Sequence, residues 1–429
     1  MSSVPQVEVL LINHSLYTGG VETLMVRMAN WLVRHGHGCS ILLRDQFEGD
    51  LTPLLDSAVK LRIVGNKWDL LAIKCIRNFI WRSFKLPKPD VIYTLEQNWS
   101  VFGLLVRDIF RKDPPSVATG AYHLNQFAYE QNLSNPGRLA LLQRDIYNRC
   151  YLDSQKVFMS EETRVGHETF FRRKIVEGWI WPLPIKIPDP AELQSRKPVP
   201  GRILSIGRLT RFKSYSWYMV PILQSLRKRH SNVQWHIYGS GMCEDELIQT
   251  VWKEAIHDGL IVFHGSIPYE QIAKAFHEAS VFIGMGTVLL EAAAAGVPAI
   301  PALVDDSEGL SWGLIDKMPY FTVGETIPGI KPPYKVEDLL DEVLGATSAD
   351  ADAIGAAGRR YVEPYCEDLL MHKFLETMNQ LDRGSELPAM IRWRFMTIRV
   401  IKFFRNLALS ISRVGQEPLR HPSGDRVIY

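Results

Sequence analysis

The sequence predicts an α/β protein of two doubly wound, parallel-sheet domains, each Rossmann-like, followed by a basic amphipathic helical tail. Three observations carry this. At 429 residues the chain is too long for one ordinary core. Continuous apolar runs alternate with helix-spaced segments through both halves, as in sheets buried on both faces. Six prolines between Pro182 and Pro200 separate the halves. The predicted organisation is an N-terminal domain over 1–184, a linker over 185–200 and a second domain over 201–365. A helix over 366–384 returns toward the first domain, and the tail covers 385–429.

In the first half, Val7–Asn13 is a central-strand run. His14 to Gly20 is a glycine-ended loop. Leu24, Met25, Met28, Trp31 and Leu32 recur at helical spacing up to His35, and Gly36 stops the run. With Cys39–Leu43 as the next strand this is a βαβ unit of the nucleotide-binding type, although it lacks a full GxGxxG. Lys67–Lys88 reads as one basic amphipathic helix. Lys67, Lys74, Arg77, Arg82 and Lys85 lie on one side, and Trp68, Ile76, Phe79, Ile80 and Phe84 on the other. Such a helix suits a membrane surface, or an ordinary face packed on the sheet. Strands at Asp90–Tyr93, Ser116–Gly120 and Lys156–Ser160 follow, with helices over 101–110, 143–151 and 161–171. The second of these strands delivers His123.

The second half repeats this grammar. Strand Arg202–Ile206 ends in Gly207-Arg208-Leu209, and helix Trp217–His230 follows. Strand Val233–Tyr238 ends in Gly239-Ser240-Gly241, and a helix covers Glu244–Ala255. Strand Ile261–Phe263 ends in His264-Gly265-Ser266-Ile267, with a helix over Tyr269–Glu278. Strand Val281–Ile283 then runs into Gly284-Met285-Gly286, and Thr287 is the expected N-cap of a helix containing Glu291. Gly296-Val297-Pro298 ends it before strand Ala299–Ala302. Helices over 336–344, 351–365 and 368–381 complete the half. Two such domains are expected to face a central cleft, because ligands bind outside the carboxyl ends of parallel strands.

The net charge of +2 excludes a polyanion-binding molecule as a whole. Five cysteines with no metal spacing fit a reducing compartment. No signal peptide and no membrane-spanning run are read from the sequence, so a cytoplasmic protein is expected, peripheral on the cytosolic face of a membrane. Ile391–Val414 motivates that placement. Arg392, Arg399, Lys402, Arg405 and Arg413 occupy one half of its wheel and Trp393, Met396, Phe403 and Phe404 the other, with no acidic residue. An interfacial helix on anionic lipid, or a helix docked on its own protein or a partner, both suit this pattern. Gly415–Tyr429 reads as a disordered end.

From Val7 to Leu381 the chain resembles the glycosyltransferase family 4 enzymes, which are retaining, nucleotide-sugar dependent and of the GT-B fold. The resemblance rests on Thr18-Gly19-Gly20-Val21-Glu22, on Gly207-Arg208-Leu209 with Lys213, and on the turns at Tyr238–Gly241 and His264–Ile267. Glu291-Ala292 through Gly296-Val297-Pro298 matches the end of the family's E-x7-E motif. The resemblance implies a nucleoside-diphosphate sugar, UDP- or GDP-linked, as donor substrate, and no cofactor or metal ion. Arg208 and Lys213 would stabilise the leaving diphosphate, and Glu291 would hold the ribose hydroxyls. Gly19 and Gly20 would close on the phosphates, Ile267 would lie by the base, and His123 would contact the transferred sugar. The chemistry agrees: a guanidinium fork, an ammonium and the amides of Gly284, Met285, Gly286, Thr287 and Val288 can together neutralise a departing diphosphate.

One position departs from the family. The first glutamate of the motif would stand eight residues before Glu291, where this chain has Ile283. Either the sugar is held differently, by the Met285-Gly286 amides or by Asp305 or Asp306, or the donor differs, or activity is lost. The sequence thus reads as a glycosyltransferase acting on a lipid-linked glycan acceptor in surface polysaccharide or glycolipid synthesis. The alternatives are an epimerase or phosphorylase on the same fold, or a non-catalytic binding subunit.

Overall fold

The computed structural model describes residues 6–17, 19–46, 51–65, 67–96, 99–123, 138–189, 196–268, 271–327 and 329–399. Thr18, residues 400–414 of the tail and the end from Gly415 lie outside them. The described residues divide into two compact units, one of 6–182 together with 370–399, the other of 183–369.

The first unit is built on a parallel sheet. Its elements are β1 (Glu8–Asn13), α1 (Gly20–Arg34), β2 (Gly38–Leu43), β3 (Lys60–Ile63), α2 (Lys67–Leu70), α3 (Arg77–Phe84), β4 (Val91–Thr94), α4 (Ser100–Arg107), β5 (Ser116–Ala121), α5 (Arg138–Cys150), β6 (Lys156–Phe158), α6 (Glu161–Phe171) and β7 (Trp179–Ile180). The strand order is β3-β2-β1-β4-β5-β6-β7. It reverses between β1 and β4, which pair from Val9 with Val91 to Ile12 with Thr94. Leu10, Ile12, Leu42, Ile92 and Val117 form one core with Phe102 and Leu105 of α4. That burial is why these strands read as unbroken apolar runs.

Two sequence expectations change here. The helix expected over 67–88 is two short helices, joined by turns in which Ile73 N–H donates to Leu70 and Ile76 N–H to Ile73. Leu71 and Ala72 are drawn into the core at that break. As a result Arg77, expected on the outer basic face, is buried, and Phe79, expected on the apolar face, is 73 % exposed. In the tail, a helix over 389–399 docks on this unit's own core. Its buried seam is Arg392, Phe395 and Arg399, whereas Trp393 is 67 % exposed. Arg392 pairs with the buried Asp108 at 2.7 Å, and the Phe395 ring meets Phe102 edge-on at 5.7 Å. That ion pair turns the helix so that part of the expected lipid face is against protein and part of the basic face is buried. The helix Glu367–Gln380 joins this unit from Leu370, whose carbonyl accepts from the Trp181 indole at 2.9 Å.

The second unit carries β8 (Arg202–Ile206), α7 (Tyr215–Arg227), β9 (Gln234–Tyr238), β10 (Ile261–Phe263), α8 (Ile272–Glu278), β11 (Val281–Gly284), α9 (Thr287–Ala294) and β12 (Ala299–Pro301), followed by helices Val336–Gly345 and Ser348–Val362. The parallel order is β10-β9-β8-β11-β12, reversing between β8 and β11. The helix expected over 244–255 is interrupted by a π turn at Leu247–Val251. The extra residue lets Trp252 N–H reach the Leu247 carbonyl at 2.7 Å and swings its ring into the core, where its indole donates to Ser216. Among the described residues no helix is long and apolar enough to cross a membrane.

Candidate functional site

The strand order places the loops after β8 and β11 side by side at the reversal of the second sheet, the position where open parallel sheets bind ligands. The loop after β8 carries Arg208 and Lys213. Arg208 is exposed and Lys213 half-buried. No ion pair to a carboxylate is made by either among the described residues. Neighbouring Arg211, by contrast, is paired with Glu246 at 2.6 Å. Burial, and then the charge of Arg208, lower the Lys213 ammonium from its ordinary value to about 8. Two cations held together without a carboxylate are a site prepared for an anion.

Three glycine turns are zipped together beyond the strand ends. Gly207 N–H donates to Tyr238 and Leu209 N–H to Ser240, both at 2.9 Å, and Gly239 N–H donates to Gly265 at 2.7 Å. A β-carbon at Gly239 would collide with the Gly207 carbonyl, and one at Gly241 would stand 2.5 Å from the Leu209 carbonyl oxygen. The glycines thus bring backbone against backbone, which no other residue permits. Ile267 lies partly buried at the end of the third turn, where the Tyr238 and His264 rings stack at 4.2 Å.

At β11 the chain passes to α9 through Met285 and Gly286 alone. Gly286, with φ 82°, is the N-cap, and Thr287 is the first helical residue, not the cap expected from the sequence. The five expected amides are not equivalent. Gly284 belongs to the strand, Gly286 N–H is taken by the Val323 carbonyl at 2.7 Å, and the Met285 side chain is buried in the core. Thr287 and Val288 keep amides with no backbone acceptor among the described residues. Glu291 follows one turn later, partly exposed.

Ile283 is fully buried and pairs with Ile300 in the sheet. A side chain there points into the core, so this strand replaces the loop position from which a carboxylate could reach a ligand. Of the two expected substitutes, Asp306 is engaged in its own turn, accepting from the amides of Glu308 and Leu310. Asp305 is exposed, with φ 54°, and its N–H donates to the Phe212 carbonyl at 2.9 Å, which fixes it beside the Lys213 loop. Tyr215, not singled out in the sequence, is buried, and its hydroxyl lies near Gly207 and Lys213, 3.9 Å from where a β-carbon on Gly207 would stand. Its only sequence signal is its spacing from Lys213.

In the first unit Gly19 is the N-cap of α1, and its carbonyl accepts from both N–H and hydroxyl of Thr23. Gly20 begins the helix, so both lie beyond β1 at the reversal point. His123 lies just past β5, half-buried, with burial holding its imidazole below the ordinary value. The adjacent Tyr122 hydroxyl bonds that of Tyr93 at 2.5 Å. These residues share the carboxyl edge of one sheet; the cationic residues and α9 share that of the other. Among the described residues no cluster of three or more metal-ligating side chains occurs.

Residues 200–310 match the family model described as "Glycosyl transferases group 1". No curated protein matches the chain. Among solved structures, HepE of Anabaena in complex with UDP and glucose is similar over 88% of this chain and 100% of that one, at 14% identity and a TM-score of 0.60. TarM of S. aureus, in a complex containing UDP, alpha-GlcNAc-glycerol and fondaparinux, covers 87% of this chain and 100% of its own at 10% identity and TM-score 0.57. WaaG, a glycosyltransferase involved in lipopolysaccharide biosynthesis, covers 87% and 100% at 13% identity and TM-score 0.56. The group 1 match thus falls on the unit that holds Arg208, Lys213 and Glu291, and the likeness to these structures shows that the chain has the GT-B fold.

Proposed function

We propose that the chain is a retaining glycosyltransferase that moves a sugar from a nucleoside-diphosphate donor to a lipid-linked glycan acceptor in surface polysaccharide or glycolipid synthesis. The observation that carries the reading is the meeting of Arg208, Lys213 and the Thr287 and Val288 amides at the reversal point of the second sheet. As the glycosidic bond breaks, negative charge grows on the β-phosphate. A guanidinium, an ammonium and a helix N-terminus held in advance stabilise that charge without reorganising. Glu291 accepts from the ribose hydroxyls, and Asp305 supplies the carboxylate for the sugar that Ile283 cannot. UDP is the favoured nucleotide, since HepE and TarM are described with UDP bound.

The lipid-linked acceptor is supported by the descriptions of the similar WaaG and WaaB, the latter an outer core galactosyltransferase, and by the basic tail. The test is turnover with a panel of UDP- and GDP-sugars, with the product anomer read by NMR. Each of Arg208→Ala and Lys213→Ala is expected to lower kcat/KM at least tenfold, the loss of a charge-assisted hydrogen bond of about 1.5–3 kcal/mol. Unchanged turnover in both would sink the assignment. A binding subunit without catalysis is the second reading, favoured by the burial of Ile283 alone; donor binding without turnover would support it.

A further inference from the structure

Arg77 opens α3 and is 4 % exposed, yet its side chain makes no hydrogen bond or ion pair among the described residues. Its Nη1 is sealed from solvent with no acceptor. Buried guanidinium groups are ordinarily paired, because an unpaired charge away from water is costly. The carboxylates nearby are already taken. Asp108 binds Arg107 at 3.0 Å and Arg392 at 2.7 Å, and Glu386 binds Arg392 at 3.2 Å as well as Arg111. Four guanidiniums therefore face two carboxylates. Further out, Asp113 is likewise shared between Lys88 and Arg383. Burial, then Arg392 and Arg111, depress the Arg77 pKa, and Asp108 and Glu386 offset this only in part.

We infer that Arg77, with Arg111 and Arg392, forms a second anion site for a phosphate group, in the first unit and separate from the donor site. A guanidinium fork matches a phosphate bidentately, and the excess of cations over carboxylates leaves room for one dianion. The ligand is free phosphate, a phosphorylated solute or a lipid headgroup. The elements bearing the arginines also carry exposed Phe79, Met390 and Trp393, which suits the headgroup. The site does not depend on the donor reading.

The full-length chain, Arg77→Met and Arg111→Gln are compared by calorimetric titration and thermal unfolding in inorganic phosphate. Co-sedimentation follows, with vesicles of phosphatidylcholine alone and of phosphatidylcholine with phosphatidylglycerol. Phosphate taken up at Arg208 and Lys213 is common to all three proteins and cancels. Phosphate binding at the second site is expected to weaken on the order of tenfold in both variants. In phosphate-free buffer Arg77→Met is expected to melt no lower than the native chain, because an apolar chain of similar length removes an unpaired buried charge. Parallel loss of phosphatidylglycerol vesicle binding assigns the headgroup; loss of phosphate binding alone assigns a soluble ligand. Equal phosphate and vesicle binding by all three proteins overturns the proposal, and Arg111→Gln decides it should Arg77→Met not fold.

Discussion

The Lys213 side chain folds back over Gly207, so that a β-carbon on Gly207 would stand 2.5 Å from the ammonium nitrogen. The glycine keeps the ammonium at the strand end. Gly207→Ala is expected to push away the far end of a flexible side chain and to strain the backbone at φ 157°, weakening donor binding roughly tenfold with a smaller loss of stability than a clash with backbone. Gly239→Ala meets backbone instead, at the Gly207 carbonyl, and should cost about 1–3 kcal/mol of stability. Urea unfolding and donor titration of the two variants separate these effects.

The depressed pKa of Lys213 makes donor binding pH-dependent. In the empty protein the ammonium loses its proton as pH rises through about 8. Donor affinity should therefore fall above that pH, while a bound diphosphate raises the pKa again. Between about 8 and the ordinary 10.5 the unfolded chain holds the proton more tightly, so donor-free stability rises with pH across that window. Lys213→Arg keeps its charge and should flatten the affinity profile; a profile as steep as that of the native chain would exclude Lys213 as its source.

Placing at 283 the glutamate of the resembled family should not create a sugar contact. Ile283 is fully buried on β11, so Ile283→Glu places an unpaired carboxylate in the core, at a cost of roughly 3–5 kcal/mol. Thermal unfolding measures the loss. Asp305→Asn should instead leave stability unchanged and lower turnover, since Asp305 is exposed beside the Lys213 loop.

Where the tail is cut matters. A chain ending at Gly384 loses Leu387, Arg392 and Phe395, which are buried against the first unit. It is expected to be less stable by about 3–5 kcal/mol, because Asp108 keeps only Arg107 and a core ring is removed. A chain ending at Arg399 keeps these contacts and should melt like the full chain. Comparing the chain ending at Arg399 with the full chain in vesicle co-sedimentation assigns lipid binding to 400–429 without a folding artefact.

The parallel strands were legible because burial on both faces writes them as apolar runs, as in Val9–Ile12. Edge strand β3 was not, since three of its four residues are exposed and polar or isolated apolar residues carry no run. The glycine turns around Arg208 were visible as residues, but not the reason for them, which is backbone contact between turns far apart in sequence. The break after Leu70 and the roll of the 389–399 helix were illegible for the same cause. Both are set by what Arg77, Asp108 and Arg392 meet in three dimensions, and helical periodicity alone places those arginines outward.

If the second unit holds a nucleotide-sugar donor on Arg208 and Lys213, donor binding stabilises the folded chain through those two cations. Thermal unfolding of the native chain and of the Arg208→Ala, Lys213→Ala double variant across UDP- and GDP-linked sugars tests it most directly, because a ligand of the folded state alone raises Tm. UDP and at least one UDP-sugar are expected to raise the Tm of the native chain and leave that of the double variant unmoved. An equal rise in both proteins, or no rise with any donor, would contradict donor binding at Arg208 and Lys213.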